Sequence, residues 1–238
     1  MQTTTLQSKE PIAEGTTLFH FIKPTGFTYQ AGQTIDITLV NPPETDAEGN
    51  MRTFSIASAP EESTIAIATR MRDTAFKRTL RDMAPGTEIQ FDGPFGSFLL
   101  HENTARPGIM LAGGIGITPF HSIIMDAAAR SLPHKIVLFY SNRRPEDAAF
   151  LSELQVSAKA NANFTFVPTM TDMAKSAQAW DGETGYIDAA MLSRHAPGGT
   201  SPIYYLAGPQ TMVNAMRTML SGSGVSNDDI RFEEFAGY

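Results

Sequence analysis

The pattern of the chain changes near residue 105, and this change limits the folds that the chain can adopt. Before it, short segments rich in Thr, Ile, Val and Phe are separated by turn clusters such as Pro24-Thr25-Gly26. After it, apolar strand-like segments alternate with helical ones. The first pattern is typical of a small antiparallel barrel, and the second of a parallel sheet covered on both faces. We therefore predict two domains, residues 1–104 and residues 105–238.

The elements predicted on either side of this boundary define the fold class. In the first domain, strands are predicted at residues 16–22, 34–40, 53–58, 64–69 and 88–91, and a helix at 75–83. In the second, strands are predicted at residues 109–112, 136–140, 164–167, 203–206 and 230–235, with helices at 119–130, 148–160, 188–194 and 210–220. The predicted fold is an N-terminal antiparallel β-barrel followed by an α/β domain with a Rossmann-like parallel sheet.

Composition narrows the chemistry that these domains can carry. The 238 residues contain no cysteine, which excludes disulfides, a thiolate nucleophile and cysteine-ligated metal or iron–sulfur centres. The five histidines show no metal-ligand spacing, so no metal site is predicted and redox chemistry would need an organic cofactor. The net charge of −7 argues against nucleic acid as a partner. No apolar run approaches the roughly 20 residues of a membrane helix and no signal peptide is recognisable, so we expect a cytoplasmic location away from the membrane.

A glycine-rich segment, Leu-Ala-Gly-Gly-Ile-Gly-Ile-Thr-Pro-Phe, joins a predicted strand to a predicted helix. Gly113, Gly114 and Gly116 would let the backbone approach a ligand closely. Thr118 and Pro119 fit the cap and the first position of the helix. Because a helix N-terminus attracts phosphates, the segment predicts a dinucleotide site. The spacing is not G-x-G-x-x-G, and glycines that serve packing alone remain an alternative.

Four further motifs lie around this segment. They are Arg52-Thr53-Phe54-Ser55 in a predicted barrel strand, Gly93-Pro94-Phe95-Gly96 before the boundary, Ala207-Gly208-Pro209 after the strand at 203–206, and Glu233-Glu234-Phe235 near the end. In this order and placement, the set resembles the ferredoxin–NADP reductase superfamily across nearly the whole chain. The resemblance implies FAD in the first domain, and NADH or NADPH in the second.

The resemblance assigns FAD contacts residue by residue. Arg52 matches an arginine that binds an FAD phosphate, for which a guanidinium is well suited. Phe54 stands where the family usually has tyrosine and can still cover the isoalloxazine ring, and Ser55 matches a serine near flavin N5. A solvated arginine beside a half-buried strand is the alternative. The remaining implied FAD contacts are Thr53, Thr69, Arg70, Met71, Phe76, Lys77, Arg78 and Thr79.

Several of these residues form a basic stretch in an acidic protein: Arg70, Arg72, Lys77, Arg78 and Arg81. Lys77-Arg78-Thr79 aligns loosely with the family's short helix start that faces the FAD pyrophosphate. One hypothesis is that part of the stretch neutralises FAD phosphates and the rest steers an acidic electron acceptor. The alternative is an ordinary solvated face.

The resemblance also implies nicotinamide contacts, namely Gly113, Gly114, Gly116, Thr118, Pro119, Asn142, Arg143, Asp172, Ala207, Gly208, Pro209 and Met212. Ala207 stands where many relatives have a cysteine close to the nicotinamide. Asp172 stands where NADP-using relatives commonly have an arginine, which favours NADH. Against this, Arg143 could reach a 2′-phosphate. The sequence slightly favours NADH.

The C-terminus supplies the last candidates. Phe235 resembles the family's aromatic residue over the flavin face, and Tyr238 is the second choice for that role. Together with Ser55, we group Glu233, Phe235 and Tyr238 as catalytic candidates. Aromatic residues in a last strand also commonly belong to the core, and that alternative stays open.

The predicted function is that of a flavoprotein reductase. It would transfer a hydride from NAD(P)H to bound FAD and pass electrons to a separate acceptor, such as a ferredoxin, a flavodoxin or an oxygenase component. An NAD(P)H-dependent reductase of free flavin or ferric iron is the first alternative. A non-catalytic nucleotide-binding domain is the second, and alanine at position 207 is its main support.

Overall fold

The computed structural model describes residues 1–196 and 201–235. Its N-terminal half is a six-stranded antiparallel sheet with one helix, α1, Ala75–Asp82, between the last two strands. The strands are β1, Gln2–Ala13; β2, Thr16–Ile22; β3, Thr34–Leu39; β4, Met51–Ser55; β5, Thr64–Arg70; and β6, Glu88–Phe95. They are ordered β4-β3-β6-β1-β2-β5 across the sheet.

Alternation along these strands builds the interior of the N-terminal half. In β3, Ile35, Ile37 and Leu39 are buried while the residues between them are half-buried. They join Phe19, Phe21, Ile65, Ile67, Ile89 and Phe91 in one apolar cluster. The sheet curls so that the chain after β4 meets β5, where Ala57 N donates to Ala66 O over 2.8 Å. This bond links the two outer strands, as expected for a barrel.

The C-terminal half is a six-stranded parallel sheet with helices. The strands are β7, Gly108–Gly113; β8, Ile136–Asn142; β9, Phe164–Met170; β10, Glu183–Thr184; β11, Ile203–Pro209; and β12, Ile230–Phe235. The helices are α2, Ile117–Ala129; α3, Leu151–Ala160; α4, Ala189–His195; and α5, Gln210–Gly222. The strand order is β10-β9-β8-β7-β11-β12.

The strand order places a topological switch point between β7 and β11. From β7 the chain builds outward through β8 and β9, then crosses to the other side of β7 to form β11 and β12. In open parallel sheets, the crevice at the carboxyl ends of such strands is where ligands bind. In this protein the crevice lies between Gly113, at the end of β7, and residues Ala207–Pro209, at the end of β11.

One apolar cluster joins the two halves. Leu18, Ala57 and Ala68 of the N-terminal half pack in the same cluster as Phe120 and Ile123 of α2. Residues 96–107 connect the two sheets, and the boundary that we propose at residue 104 lies in this connection. The predicted fold class is confirmed.

Local predictions were less accurate than the fold class. The twelve-residue strand β1 was missed, because most of its residues are polar and only Thr4 and Leu6 are buried. The strand predicted at 53–58 instead covers Met51–Ser55. Within residues 1–196 and 201–235, no helix is long and apolar enough to cross a membrane. The same residues contain no group of three or more His, Asp or Glu side chains placed to hold a metal ion.

Candidate functional site

A groove of about 800 Å³ lies between the two halves of the protein. This volume falls within the range of small-molecule sites. The N-terminal half contributes Thr34, Glu48, Arg52, Thr53, Phe54, Ser55, Ala68, Thr69, Arg70, Arg72, Thr74 and Lys77, and the C-terminal half contributes Ile115, Thr118, Glu233, Glu234 and Phe235. The structure therefore brings together four of the sequence segments that were singled out separately.

Strand β4 forms one wall of the groove. Ser55 is buried and pairs with Thr34 of β3. The ring of Phe54 lies 5.9 Å from that of Phe76, which is fully buried beneath it. The guanidinium carbon of Arg52 lies 5.2 Å from the centre of the same Phe76 ring. Phe76 thus supports both groove residues from the core.

Two carboxylates hold Arg52. Its Nη2 lies 3.2 Å from Asp46 Oδ1 and 2.8 Å from Glu48 Oε2. The second oxygen of Asp46 accepts a hydrogen bond of 3.2 Å from Ala75 N, the first residue of α1. A carboxylate therefore occupies the position between an arginine and a helix N-terminus, which is favourable for an anion.

The cations of the groove are crowded together. Burial and, after it, the positive charges of Arg72 and Arg52 together lower the pKa of Lys77 to about 8. Glu48 opposes this effect without cancelling it. Because like charges near a half-buried ammonium are costly, this part of the groove favours an added anion. A diphosphate fits this donor set, and the residues present therefore suit the phosphates of FAD.

The rest of the basic stretch and several other implied FAD contacts lie outside the groove lining. Arg78 pairs with Glu44 and Asp73, and Arg81 pairs with Asp82. Thr79 lines a separate cavity of about 290 Å³, and its hydroxyl is buried without a partner among the described residues. Met71 and Phe76 pack with the N-terminal core. The stretch is thus divided between a cationic groove and a surface of neutralised ion pairs.

The glycine turn begins α2 earlier than predicted. The helix starts at Ile117 with Gly116 as its cap, and Pro119 is its third residue. Thr118 was predicted to be the cap, and this is wrong: its hydroxyl donates back to Ile115 O over 3.1 Å. A single helical turn at Gly114–Gly116 precedes the helix and displaces the cap.

Close packing explains two of the glycines. A Cβ at Gly116 would overlap the carbonyl group of Ala207 and lie 2.6 Å from Gly208 N. A Cβ at Gly208 would lie 3.1 Å from Gly113 N, and Met212 packs against Gly113 on the other side. These contacts hold β7 and β11 together at the switch point. The packing alternative therefore accounts for Gly116 and Gly208, while Ile115 and Thr118 face the groove.

The last strand closes the groove. Burial raises the pKa of Glu233 to about 7, with no charged neighbour among the causes. Such a carboxyl can hold or release a proton near neutral pH. Phe235 is half-buried and lines the groove beside it. Tyr238 lies outside the described residues.

A second cavity near the switch point, of about 300 Å³, lies between the end of β8 and the start of α5. It is lined by Ser141, Tyr186, Ile187, Thr211, Met212, Ala215 and Met216. Tyr186 is 81% exposed, so its ring is available to a planar ligand. Sequence patterns did not reveal Tyr186, because periodicity does not distinguish an exposed aromatic residue in a loop from a core residue.

Of the twelve predicted nicotinamide residues, Thr118 lines the groove and Met212 lines the second cavity, and the other ten lie outside both linings. Three of those ten are polar residues outside the glycine turn. Asn142 is buried, and both polar atoms of its side chain are without a partner among the described residues. Arg143 is exposed, and its carbonyl accepts a hydrogen bond of 2.9 Å from Asp172 N. Asp172 pairs with Lys175 over 2.7 Å. The acid and the arginine that were weighed for cofactor preference are therefore neighbours.

Comparisons with known proteins agree with this geometry. Residues 110–218 match the family model described as the oxidoreductase NAD-binding domain. A ferredoxin NADP+ reductase from Neisseria gonorrhoeae, solved with bound FAD and NADP, superposes with a TM-score of 0.80 and 21% identity over 98% of each chain. The chain shares the two-domain fold of this reductase, and its C-terminal half matches an oxidoreductase NAD-binding domain.

Two further proteins are similar to the chain. The flavohem-like FAD/NAD binding domain of nitric oxide dioxygenase from Vibrio cholerae has a TM-score of 0.85 at 20% identity, over 98% of each chain. The 2-halobenzoate 1,2-dioxygenase electron transfer component of Burkholderia cepacia is 33% identical over 190 residues, which is 78% of this chain and 54% of that protein. The chain spans about half the length of the curated relatives that it matches.

The family match and the shared fold confirm several sequence predictions. The resemblance, the oxidoreductase class, and FAD with a nicotinamide dinucleotide as the cofactors are confirmed at this level. The roles of individual residues in the groove, the choice between NADH and NADPH, and the electron acceptor remain predictions.

Proposed function

We propose that this protein is an FAD-dependent reductase that takes a hydride from NAD(P)H and passes electrons to a separate acceptor. The observation that carries the proposal is the groove itself. It joins a cation cluster of the N-terminal half to the switch point of the C-terminal half. One ligand with a diphosphate and a planar ring can bind at both ends of such a groove.

The N-terminal wall would bind FAD. Arg52, Arg72 and Lys77 are placed to pair with its phosphates, and the partly unmet charge at Lys77 supports this role. Phe54 would lie against the ring system, supported by Phe76. When bound, FAD accepts a hydride and can release the two electrons one at a time.

The reacting end of the groove would be formed by Ser55, Glu233 and Phe235. Ser55 sits on rigid strand β4 and can donate a hydrogen bond to the edge of the flavin ring. Glu233 can hold a proton at its carboxyl oxygen near neutral pH, since its pKa is about 7. Phe235 would cover the ring face and exclude water until a nicotinamide displaces it.

The switch point and the second cavity would bind the nicotinamide dinucleotide. The glycine turn lies at the carboxyl end of β7, and the cavity beside Tyr186 offers an apolar site for the adenine. We propose a preference for NADH, because Asp172 would repel a 2′-phosphate. Lys175 and Arg143 beside it reduce the strength of that discrimination.

A substitution tests the cofactor preference. Asp172→Arg should move the ratio of kcat/KM values towards NADPH, and Arg143→Ala should move it towards NADH. If neither variant changes the ratio, this region does not contact the ribose.

For the acceptor, we propose a separate redox protein that contains an iron–sulfur centre or belongs to an oxygenase. The Burkholderia relative named as an electron transfer component of a dioxygenase supports this choice. Because these 238 residues contain no cysteine, they cannot supply the thiolates of such a cluster. Ion pairs at Arg78 and Arg81 weaken the hypothesis that these two residues steer an acidic partner.

A reductase of free flavin or ferric iron is the competing function. The two differ in how tightly FAD is held, since a flavin that acts as a substrate must dissociate in each turnover. We expect FAD to remain bound through gel filtration and to be released by the double variant Arg52→Ala, Lys77→Ala. Loss of flavin from the unchanged protein, with NAD(P)H-dependent reduction of added flavin, would favour the competing function.

A further inference from the structure

A single histidine joins the two halves of the protein beside the groove. His121 lies on α2, and its ring is buried. Its Nδ1 is 2.7 Å from the carbonyl oxygen of Ala57, two residues after Ser55 in the N-terminal half. Its Nε2 is 3.0 Å from a carboxylate oxygen of Glu153 on α3. We call this arrangement the His121 bridge.

Both partners of the ring are hydrogen-bond acceptors. A carbonyl oxygen and an ionised carboxylate accept hydrogen bonds and donate none, so the ring is the donor group of the bridge. The hydrogen bond from His121 also lowers the pKa of Glu153, in spite of the partial burial of that carboxyl.

The surroundings hold the ring in place. The ring stacks on Phe150, with 4.0 Å between the ring centres and 24° between the planes. Phe150 has a φ of 60°, a backbone conformation that is uncommon for a bulky residue. A strained residue at this position indicates that the orientation of its side chain is specified by its surroundings.

The next residue of α2 holds the next carbonyl of the same segment. Ser122 donates its hydroxyl to Ser58 O over 2.6 Å, beside the His121 bond to Ala57 O. Backbone hydrogen bonds from Ile56 N to Gln33 O and from Ala57 N to Ala66 O hold the segment Ile56–Ser58 within the N-terminal half. Two consecutive side chains of one half therefore bind two consecutive carbonyls of the other. This sets where the end of β4, with Ser55, lies relative to the glycine turn.

We propose that His121 is a positioning residue that, together with Ser122, fixes the segment Ile56–Ser58 against α2. The inference deepens the proposed function and depends on it, because this segment would align the flavin edge at Ser55 with the nicotinamide at the switch point. Glu153 and Phe150 hold the ring for this contact. Small displacements between reacting groups cost large factors in rate.

The charged groups around the bridge are few. Glu153 faces it from α3, while Glu10 of β1 and Glu146, which precedes α3, line the same surface groove as Glu153. Asp126, on α2 itself, pairs with Arg130. The pairing with Glu153 is the only direct one among the described residues.

The first test measures the segment directly in the FAD-free protein. We expect amide-exchange protection of Ala57 to fall about ten-fold in His121→Ala. His20→Gln is the control, since His20 also lies beside a glutamate, Glu10, at 3.5 Å. Protection of Ala57 that is unchanged in a folded His121→Ala variant would overturn the proposal.

The second test uses Glu153→Gln, which preserves the shape of the side chain and can still hydrogen-bond the ring. We expect this variant to keep most of the protection of Ala57, because the contact between His121 and the Ala57 carbonyl remains. A loss of protection as large as in His121→Ala would mean that Glu153 rather than His121 holds the segment, and would contradict the proposal.

The third readout is catalytic. With FAD bound, His121→Ala should slow flavin reduction about ten-fold with little change in KM for the nicotinamide, and Glu153→Gln should have a smaller effect. If the protein reduces no flavin at all, the proposed function fails, whereas the exchange results still decide whether the bridge exists. If His121→Ala reduces flavin as fast as the unchanged protein, the function stands and the positioning role is wrong.

Discussion

Asp46 and Arg52 form an ion pair at the start of α1, with 3.2 Å between Asp46 Oδ1 and Arg52 Nη2. The other oxygen of Asp46 binds Ala75 N, so the carboxylate uses two donors that would suit an FAD phosphate. Phosphate and carboxylate compete for the same positive charge. FAD binding at this position therefore has to displace or tolerate Asp46.

Replacement of Asp46 tests this competition. Asp46→Asn should strengthen FAD binding by about three- to ten-fold, because it removes a negative charge next to the diphosphate while leaving a side chain of similar shape. The dissociation constant can be measured from flavin fluorescence at low salt. Glu44→Gln is the control, since Glu44 pairs with Arg78 away from the groove. Weaker binding by Asp46→Asn would mean that Asp46 orients Arg52 for the phosphate.

FAD affinity should depend on pH through Lys77. The pKa of this lysine is lowered to about 8, so its charged form is present below pH 8 and is lost above it. Phosphate prefers the charged form, and affinity should therefore be highest below pH 8 and decline as pH rises. Lys77→Met should weaken FAD binding about ten-fold at pH 7 and remove most of this decline. Arg81→Met, outside the groove, should retain the unchanged protein's profile.

The stability of the FAD-free protein should depend on pH through Glu233. Burial raises its pKa from 4.5 to about 7, so the folded state binds a proton that the unfolded state releases between these values. The free energy of unfolding should therefore decrease as pH rises through this window. Glu233→Gln should be about 1–2 kcal/mol more stable than the unchanged protein at pH 8, with no gain at pH 4. Urea denaturation at the two pH values measures both, and a gain of equal size at pH 4 would contradict the assignment.

The close packing at the switch point should not accommodate a methyl group added at Gly116. Gly116→Ala should lower the free energy of unfolding by about 1–3 kcal/mol, because the added Cβ overlaps the Ala207 carbonyl in rigid backbone. Gly222→Ala is a matched control at the end of α5, where a Cβ would meet nothing within 4 Å. That variant should be neutral or slightly stabilising. Thermal or urea unfolding distinguishes the two, and equal stability would contradict the close approach.

The sequence predicted the fold class because its signals are local. The alternation of Ile35, Ile37 and Leu39 and the buried run of β7 reflect the periodicity of each strand. The order of motifs then placed Ser55, Thr118 and Glu233 near one another, and all three line the same groove. Once the order of the elements is known, the topology of the fold determines which residues lie together in the groove.

What the sequence could not predict depends on contacts between distant residues. The N-cap of α2 is Gly116 and not Thr118, as was predicted, because a helical turn at Gly114–Gly116 precedes the helix. The Thr118 hydroxyl donates to Ile115 O in that turn. Asp46 was missed because it lies in a loop that reads as solvated, and only the tertiary structure brings it to Arg52 and Ala75. The acidic residues at positions 44, 46 and 48, shortly before the arginine motif, are the one sequence signal that could have suggested this contact. The His121 contact with Ala57 spans 64 residues and has no local signature.

Rapid anaerobic mixing of the FAD-loaded protein with NADH and with NADPH tests the central claim most directly. The account predicts that at least one nucleotide bleaches the flavin absorbance in a single turnover, at a rate that saturates with nucleotide concentration, and that Phe235→Ala alters the saturation. If the loaded and folded protein stays oxidised with both nucleotides, the groove does not align a nicotinamide with the flavin, and the account is contradicted.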